Sequence, residues 1–184
     1  MVYPGYETKD GICWGRRQPE VLEIKFHDSR TKNSITHEGY LALGKLVHEA
    51  QSDESIRVIF IHGGSFFSAG NNLMDWGKDP HILEPDRWYS KVLSLNHYAI
   101  LTCTMAIKNS VKPIVGLVRG KAVGIGFTIL SLFTFVYCTE EAKFIAPFST
   151  SFQIPEGSSS YNFPRIFGQR KANELLFLSK ELTA

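Results

Sequence analysis

The stretch Pro113-Ile114-Val115-Gly116-Leu117-Val118, continued by Gly120-Lys121-Ala122-Val123-Gly124-Ile125-Gly126, decides how this chain folds. A short apolar run of strand length gives way to a glycine-rich turn, and the residues that follow suit a helix. The same order of events occurs upstream. Val58-Ile59-Phe60-Ile61 is a continuous apolar run, as expected of a strand covered on both faces. Gly63-Gly64 ends it, and Phe66-Phe67-Ser68-Ala69-Gly70-Asn71-Asn72-Leu73 forms a small-residue turn leading toward a helix. Strand, turn and helix in repetition favour an α/β architecture with largely parallel pairing.

The remaining pattern fits around these two units. Val21 to Phe26 alternates apolar and polar residues, as a half-buried strand should, and Asp28 to Ser34 makes a polar loop. Thr36 is placed to cap a helix running to about Gln51, with Tyr40, Leu43, Val47 and Ala50 on one face. Asp79 to Pro85 reads as a proline-bounded loop. Arg87 to Asn109 reads as a long helix with Val92, Leu95, Ala99, Cys103, Ala106 and Ile107 as its inner stripe. Phe135 to Cys138 and Lys143 to Ala146 suit short strands. Lys171 to Leu182 suits a final helix packed through Leu175, Leu176 and Leu178.

At 184 residues the chain is long enough for one domain with a sizeable core. A formal net charge of +2, without a lysine-arginine cluster, gives no field that argues for nucleic acid. Cys13, Cys103 and Cys138 are odd in number and far apart, which suggests reduced thiols in an intracellular compartment. No ligand spacing supports a metal site. Met1 to Asp10 has neither a signal-peptide nor a transit-peptide pattern. The longest apolar stretch, Phe127 to Cys138, is too short to span a membrane.

The chemistry concentrates at the two turns and at one acid. Where a strand hands the chain to a helix N-terminus, the first backbone N–H groups lack intrahelical partners and can bind a negative oxygen. Two such turns can each offer one N–H to the same oxygen, which is what an oxyanion hole requires. Tight turns that serve only helix-strand packing are the plain alternative. Between Phe144 and Phe163 the only carboxylic acid is Glu156, among Phe144, Phe148, Phe152, Ile154 and Phe163. Desolvation by such neighbours would raise its pKa toward the range useful for proton transfer; a solvated turn is the bland alternative.

Other readings of the turns lack parts. A dinucleotide site would need a third glycine after Gly124-Ile125-Gly126. His62-Gly63-Gly64 is similar to a lipase oxyanion loop, but the chain has no G-x-S-x-G elbow. His62, at a strand end, is expected to pack near the first turn rather than to catalyse.

Taken together, the turns and Glu156 resemble the crotonase (enoyl-CoA hydratase/isomerase) superfamily. Phe66 to Leu73 is similar to its first acyl-CoA loop, and Lys112-Pro113-Ile114-Val115 through Gly126 to its second. Phe135-Val136-Tyr137-Cys138 followed by Ala142-Lys143-Phe144 keeps the same order. Ala146-Pro147-Phe148-Ser149, Pro155-Glu156-Gly157-Ser158-Ser159-Ser160-Tyr161 and Phe163-Pro164-Arg165-Ile166-Phe167-Gly168 resemble the peroxisomal Δ3,Δ2-enoyl-CoA isomerase branch. The resemblance covers nearly the whole chain from about Val21.

It implies a spiral of repeated ββα units, with residues 1–184 as a single crotonase-like domain. Glu181 to Ala184 resembles the middle of a family motif, so the C-terminal helical part is expected to be missing. The oxyanion donors would be the backbone N–H groups of Asn71 and Ile125. Ser68, Ala69, Gly70, Asn71, Asn72 and Gly124 would bind the substrate, Asn72 standing where the family most often has aspartate. Glu156 would be the catalytic acid/base. The two glutamates that hydratases use fall at Thr128 and Phe148, and neither can activate water. Shifting a double bond needs one base that takes a proton from C2 and returns it to C4, so one carboxylate is a complete isomerase set.

The resemblance further implies a fatty acyl-CoA substrate in β-oxidation, with coenzyme A as part of the substrate and no separate cofactor. Its other implications are a homo-trimer if the C-terminal segment is present, and a peroxisomal location with the mitochondrion as alternative. A non-catalytic acyl-CoA-binding or scaffold module, and a hydratase, stay open as alternatives.

Overall fold

The computed structural model describes residues 5–73 and 98–184. The expected loop at Asp79 to Pro85, and Val92 and Leu95 of the expected helix stripe, lie outside them. A hairpin opens the chain, β1 (Glu7–Lys9) and β2 (Ile12–Gln18), joined at Asp10 and Gly11, which both have positive φ. That backbone is the one an Asp-Gly two-residue hairpin turn requires. Strand β3 (Val21–Phe26) pairs antiparallel with β2 and parallel with β5 (Val58–His62). Next come β7 (Ile114–Val118) and β9 (Phe135–Cys138), both parallel, completing a six-stranded sheet in the order β1-β2-β3-β5-β7-β9.

Two smaller sheets carry the turns. The two-residue strand β4 (Ser34–Ile35) pairs parallel with β6 (Gly70–Asn71). Strand β8 (Lys121–Val123) pairs parallel with β10 (Lys143–Ile145), which pairs antiparallel with β11 (Leu182–Thr183).

Helix α1 (His37–Ser52) starts where Thr36 predicts, with Thr36 Oγ1 accepting from the Gly39 N–H at 3.0 Å. Its stripe of Tyr40, Leu43, Val47 and Ala50 is buried as expected. Residues 98–108 are helical (α2) and bury Ala99, Cys103 and Ile107. These helices cover one face of the large sheet, where Leu22, Ile24 and Phe26 of β3 meet Ile59 and Ile61 of β5 in the core. Phe26 and Phe67 meet edge to face, with ring centroids 5.4 Å apart. All three cysteines are free, Cys13 and Cys103 buried and Cys138 exposed. No helix among the described residues is long and apolar enough to cross a membrane.

The structure departs from the sequence expectations at four places. Strand β5 is fully covered on one face only. Val58, Phe60 and His62 are half-buried on the other, where the Arg17 guanidinium lies 5.3 Å from the Phe60 ring centroid. Helix α3 (Ile125–Thr128) is a single turn that runs on into a 3-10 turn at Ile129–Leu132. A helix absent from the pattern, α4 (Ser159–Phe167), contains Pro164 and packs Phe163 against Phe127 and Phe167. The last helix, α5 (Gln169–Phe177), ends five residues before Leu182. Left-handed Ser179 turns the chain there, and the Lys180 N–H closes on the Glu174 carbonyl at 3.1 Å. Leu178, expected to pack, is 64% exposed, and Leu182 belongs to β11.

Asn33 ties the first turn to this frame. Its φ of 58° is a left-handed conformation that asparagine tolerates better than most residues. Its Nδ2 donates to the carbonyls of Gly63 (2.8 Å) and Phe66 (2.6 Å), and its Oδ1 accepts from the Asp28 N–H (2.9 Å). Asn33→Ala removes three buried or half-buried hydrogen bonds at about 1 kcal/mol each, so the unfolding free energy should fall by about 3 kcal/mol. Urea titration should show this as a lower midpoint at unchanged slope.

Candidate active site

The two glycine turns lie against each other. Val123 N–H donates to the Ser68 carbonyl at 2.9 Å, and Ser68 forms a parallel bridge with Ala122. From the other side, Gly124 N–H donates to the Ile145 carbonyl at 2.8 Å, which fixes the second turn to β10. Gly70 makes the contact possible. Its φ is +85°, and a Cβ there would sit 2.7 Å from the Val123 carbonyl oxygen.

Each turn leaves an N–H pointing away from its own element. Ile35 pairs with Asn71, and the Asn72 N–H donates to the Ile35 carbonyl at 3.0 Å. In a parallel ladder, alternate N–H groups face opposite sides, so the Asn71 N–H is directed away from β4. Ile125 is the first residue of α3, and its N–H has no acceptor within that helix.

The other residues of the first turn divide by burial. Ser68 is fully buried, and its hydroxyl donates to the Asn33 carbonyl (2.7 Å) while accepting from the Gly70 N–H (3.1 Å). That hydroxyl is part of the turn's own frame. Gly70 is buried, whereas Ala69, Asn71, Asn72 and Gly124 are half-buried and line the open side.

Glu156 arrives from the opposite end of the chain. The Ser159 hydroxyl and N–H both donate to its carbonyl, at 2.7 and 3.1 Å, and hold its backbone in place. Gly157 (φ +60°) lets this segment press on α3, since a Cβ there would lie 2.4 Å from Thr128 Oγ1 and 2.8 Å from Ile125 Cδ1. The Asn71 side chain then reaches the carboxyl, its Nδ2 donating to Oε1 at 3.0 Å and to Oε2 at 3.3 Å. The Tyr40 hydroxyl donates in turn to Asn71 Oδ1.

Burial raises the Glu156 carboxyl above the ordinary range, and the Asn71 amide offsets part of that rise. The expected direction holds, but the expected neighbours do not all supply it. Phe152 and Ile154 face solvent, 99% and 84% exposed. Tyr40 of α1 and Asn71 of β6, which interact with this carboxyl, and α3, on which Gly157 presses, are far away in sequence. Thr128 is fully buried with no hydrogen-bond partner for its hydroxyl, and Phe148 is 1% exposed, so neither position offers a carboxylate.

Sequence reasoning singled out His62 only as a packed residue near the first turn. Its Nδ1 accepts from the Gly64 N–H at 3.3 Å, and its Nε2 meets Glu23 Oε1 at 2.7 Å. Tyr6 (2.7 Å) and Arg17 (3.2 Å) also donate to the Glu23 carboxyl. This cluster, Asn33 and the polar role of Tyr40 went unread. Only the residue pair Lys32-Asn33, both left-handed at the end of a polar loop, carried a local signal for one of them.

A carboxyl with a raised folded-state pKa binds its proton more tightly in the native chain, so ionising it costs stability as pH rises through that pKa. Glu156→Gln should therefore melt higher than the wild type at about pH 8. The gap should close as pH falls to about 4, where the carboxyl is protonated whether the chain is folded or unfolded. Calorimetric melting at several pH values reads this directly.

Residues 16–184 match the enoyl-CoA hydratase/isomerase family. The chain is 35% identical to the mouse peroxisomal enoyl-CoA delta isomerase 3 over 97% of its own length and 54% of that protein's. It is 34% identical to the human enoyl-CoA delta isomerase 2 over 89% of its length and 40% of that protein's. Thus the chain spans about half the length of the curated relatives it matches. Among solved structures, an enoyl-CoA hydratase from Bacillus halodurans superposes with a TM-score of 0.82 at 26% identity, covering 95% of this chain and 68% of that one. The chain belongs to the enoyl-CoA hydratase/isomerase family, with the crotonase fold.

Proposed function

We propose that this chain carries the reacting centre of a Δ3,Δ2-enoyl-CoA isomerase with Glu156 as its single acid/base. The observation that carries this reading is the double use of Asn71. Its backbone N–H is directed outward beside the second turn, while its side chain holds the Glu156 carboxyl at 3.0 and 3.3 Å. The group that stabilises a developing oxyanion and the group that moves the proton are thus fixed to one residue.

The reaction balances without a second acid. The thioester oxygen of a 3-enoyl-CoA sits on the N–H groups of Asn71 and Ile125, beside Ala69, Gly70, Asn72 and Gly124. The Glu156 carboxylate removes a proton from C2, and the electron pair spreads into a dienolate whose oxygen bears the charge. The same proton then returns from Glu156 to C4, leaving the double bond between C2 and C3. Coenzyme A is part of the substrate, and the scheme uses no separate cofactor. Hydration would also need a group that activates water, and Thr128 and Phe148 offer none. The names of the mouse and human relatives agree with isomerisation. A role in β-oxidation of unsaturated fatty acids, a peroxisomal location and a trimeric assembly extend this reading. The location rests on the name of the mouse relative.

Glu156→Gln should lower isomerisation of a 3-enoyl-CoA by about 10³-fold, the middle of the range for a lost general base. Calorimetric binding of the substrate thioester should stay measurable. Equal rates for the two proteins, both folded, would instead favour a binding or scaffold module. The base must be ionised, so wild-type kcat/KM should fall on the acid side at a pH above that of an ordinary carboxylate. Gly70→Ala, which drives a Cβ toward the Val123 carbonyl, should part the two turns and lower kcat by about 10²-fold, as loss of one oxyanion donor does.

A further inference from the structure

The Asn71 side chain presents an acceptor at one end and two donors at the other, on nearly identical shapes. Which end meets Glu156 depends on what claims the opposite end. Tyr40 claims it. The phenol lies on α1, is 3% exposed, and donates to Asn71 Oδ1. Burial first, and the Glu156 charge second, raise the pKa of this phenol well above its ordinary value, so it remains a donor across the pH range of the folded chain. With Oδ1 occupied, the NH2 end is left to face both carboxyl oxygens.

The chain builds this contact from adjacent elements. Ile35 of β4 pairs with Asn71 of β6, and Thr36 directly after it caps α1. The Tyr40 N–H donates to the Thr36 carbonyl at 3.0 Å, which places its side chain one helical turn from the strand that Asn71 pairs with. Among the described residues, the polar group acting on the carboxyl is the Asn71 amide from β6, and the Tyr40 phenol from α1 feels the Glu156 charge. From α3, Ile125 and Thr128 bring no charge, and Cys103 on α2 faces Tyr40, its thiol pushed up to about 12 by burial.

We propose that Tyr40 is a positioning residue of this site, whose phenol locks the Asn71 amide so that its NH2 end holds Glu156 as a carboxylate ready to accept a proton. What the carboxylate does to substrate rests on the isomerase reading; the lock on the amide does not. In Tyr40→Phe the amide is free to turn its oxygen toward Glu156. An amide oxygen repels a carboxylate and accepts from a carboxylic acid, so the proton is held more tightly.

Two measurements test this. In the pH profile of kcat/KM for a 3-enoyl-CoA, Tyr40→Phe should be about tenfold slower on the acid limb and within about twofold on the alkaline plateau, as loss of one charge-assisted hydrogen bond predicts. A phenol that merely fills space would lower the rate evenly across pH. Independently of activity, the Glu156 carboxyl can be titrated by infrared difference spectroscopy with ¹³C-labelled glutamate, its band assigned by Glu156→Gln. The midpoint should move upward in Tyr40→Phe and in Asn71→Ala, and Tyr40→Phe should add nothing on the Asn71→Ala background. An unmoved midpoint in folded Tyr40→Phe, or full additivity in the double variant, overturns the proposal. A moved midpoint in a protein that does not isomerise leaves the lock standing and overturns the isomerase reading instead.

Discussion

A Cβ on residue 70 would lie 2.7 Å from the carbonyl oxygen of Val123, and the rest of the site depends on that space being empty. Because it is, the Ser68 backbone can bridge to Ala122 and accept from Val123, and the turns after β5 and β7 become one surface. Asn33 clamps this surface from the first turn's far side, and β10 clamps it from the second turn's. Gly157 makes a similar close approach from a third direction and brings Glu156 to the same place. Two backbone approaches, each too close for a side chain, thus bring Asn71, Ile125 and Glu156 near one another.

The chain treats two glutamates, buried Glu23 and half-buried Glu156, in opposite ways. Burial alone would raise the Glu23 carboxyl, but donors from Tyr6 and His62 and the Arg17 charge outweigh it and hold it below the ordinary range. Burial also lowers His62, whose Nε2 meets Glu23 Oε1 at 2.7 Å. Among the described residues Glu156 receives only the Asn71 amide, and burial wins. Different surroundings thus push two like carboxyls apart in pKa. Glu23 is the anion, fixed on the sheet beside the strand that feeds the first turn.

Much of this was legible in residue order. Thr36 announced the start of α1, the alternation in Val21 to Phe26 gave a half-buried strand, and the two glycine turns stood where buried strands ended. The family resemblance then named Asn71, Ile125 and Glu156, which the fold brings together. What stayed hidden has physical causes. The Asp10-Gly11 hairpin carries a strong turn signal, but its strands are short and largely polar. Pro164 masked α4, whose Phe163 and Phe167 pack regardless of the lost N–H. The apolar stripe in Lys171 to Leu182 could not show that Ser179 would turn left-handed and release Leu182 to a strand. Phe152 and Ile154 sit beside Glu156 in sequence yet point into water, because desolvation is set by tertiary neighbours. Tyr40 scored as one more apolar residue of a stripe, and nothing local reveals where its hydroxyl ends.

Strand β9 closes the large sheet with Phe135-Val136-Tyr137-Cys138, all four exposed and none charged. Its inner side pairs with β7, and among the described residues no strand pairs with its outer side, which carries the rings of Phe135 and Tyr137 at its flanks. Sheet edges elsewhere are commonly protected by lysine, proline or a bulge, and this one has none of them. The exposed Cys138 thiol sits on this same edge, so an oxidant that couples two copies through it would join them along β9.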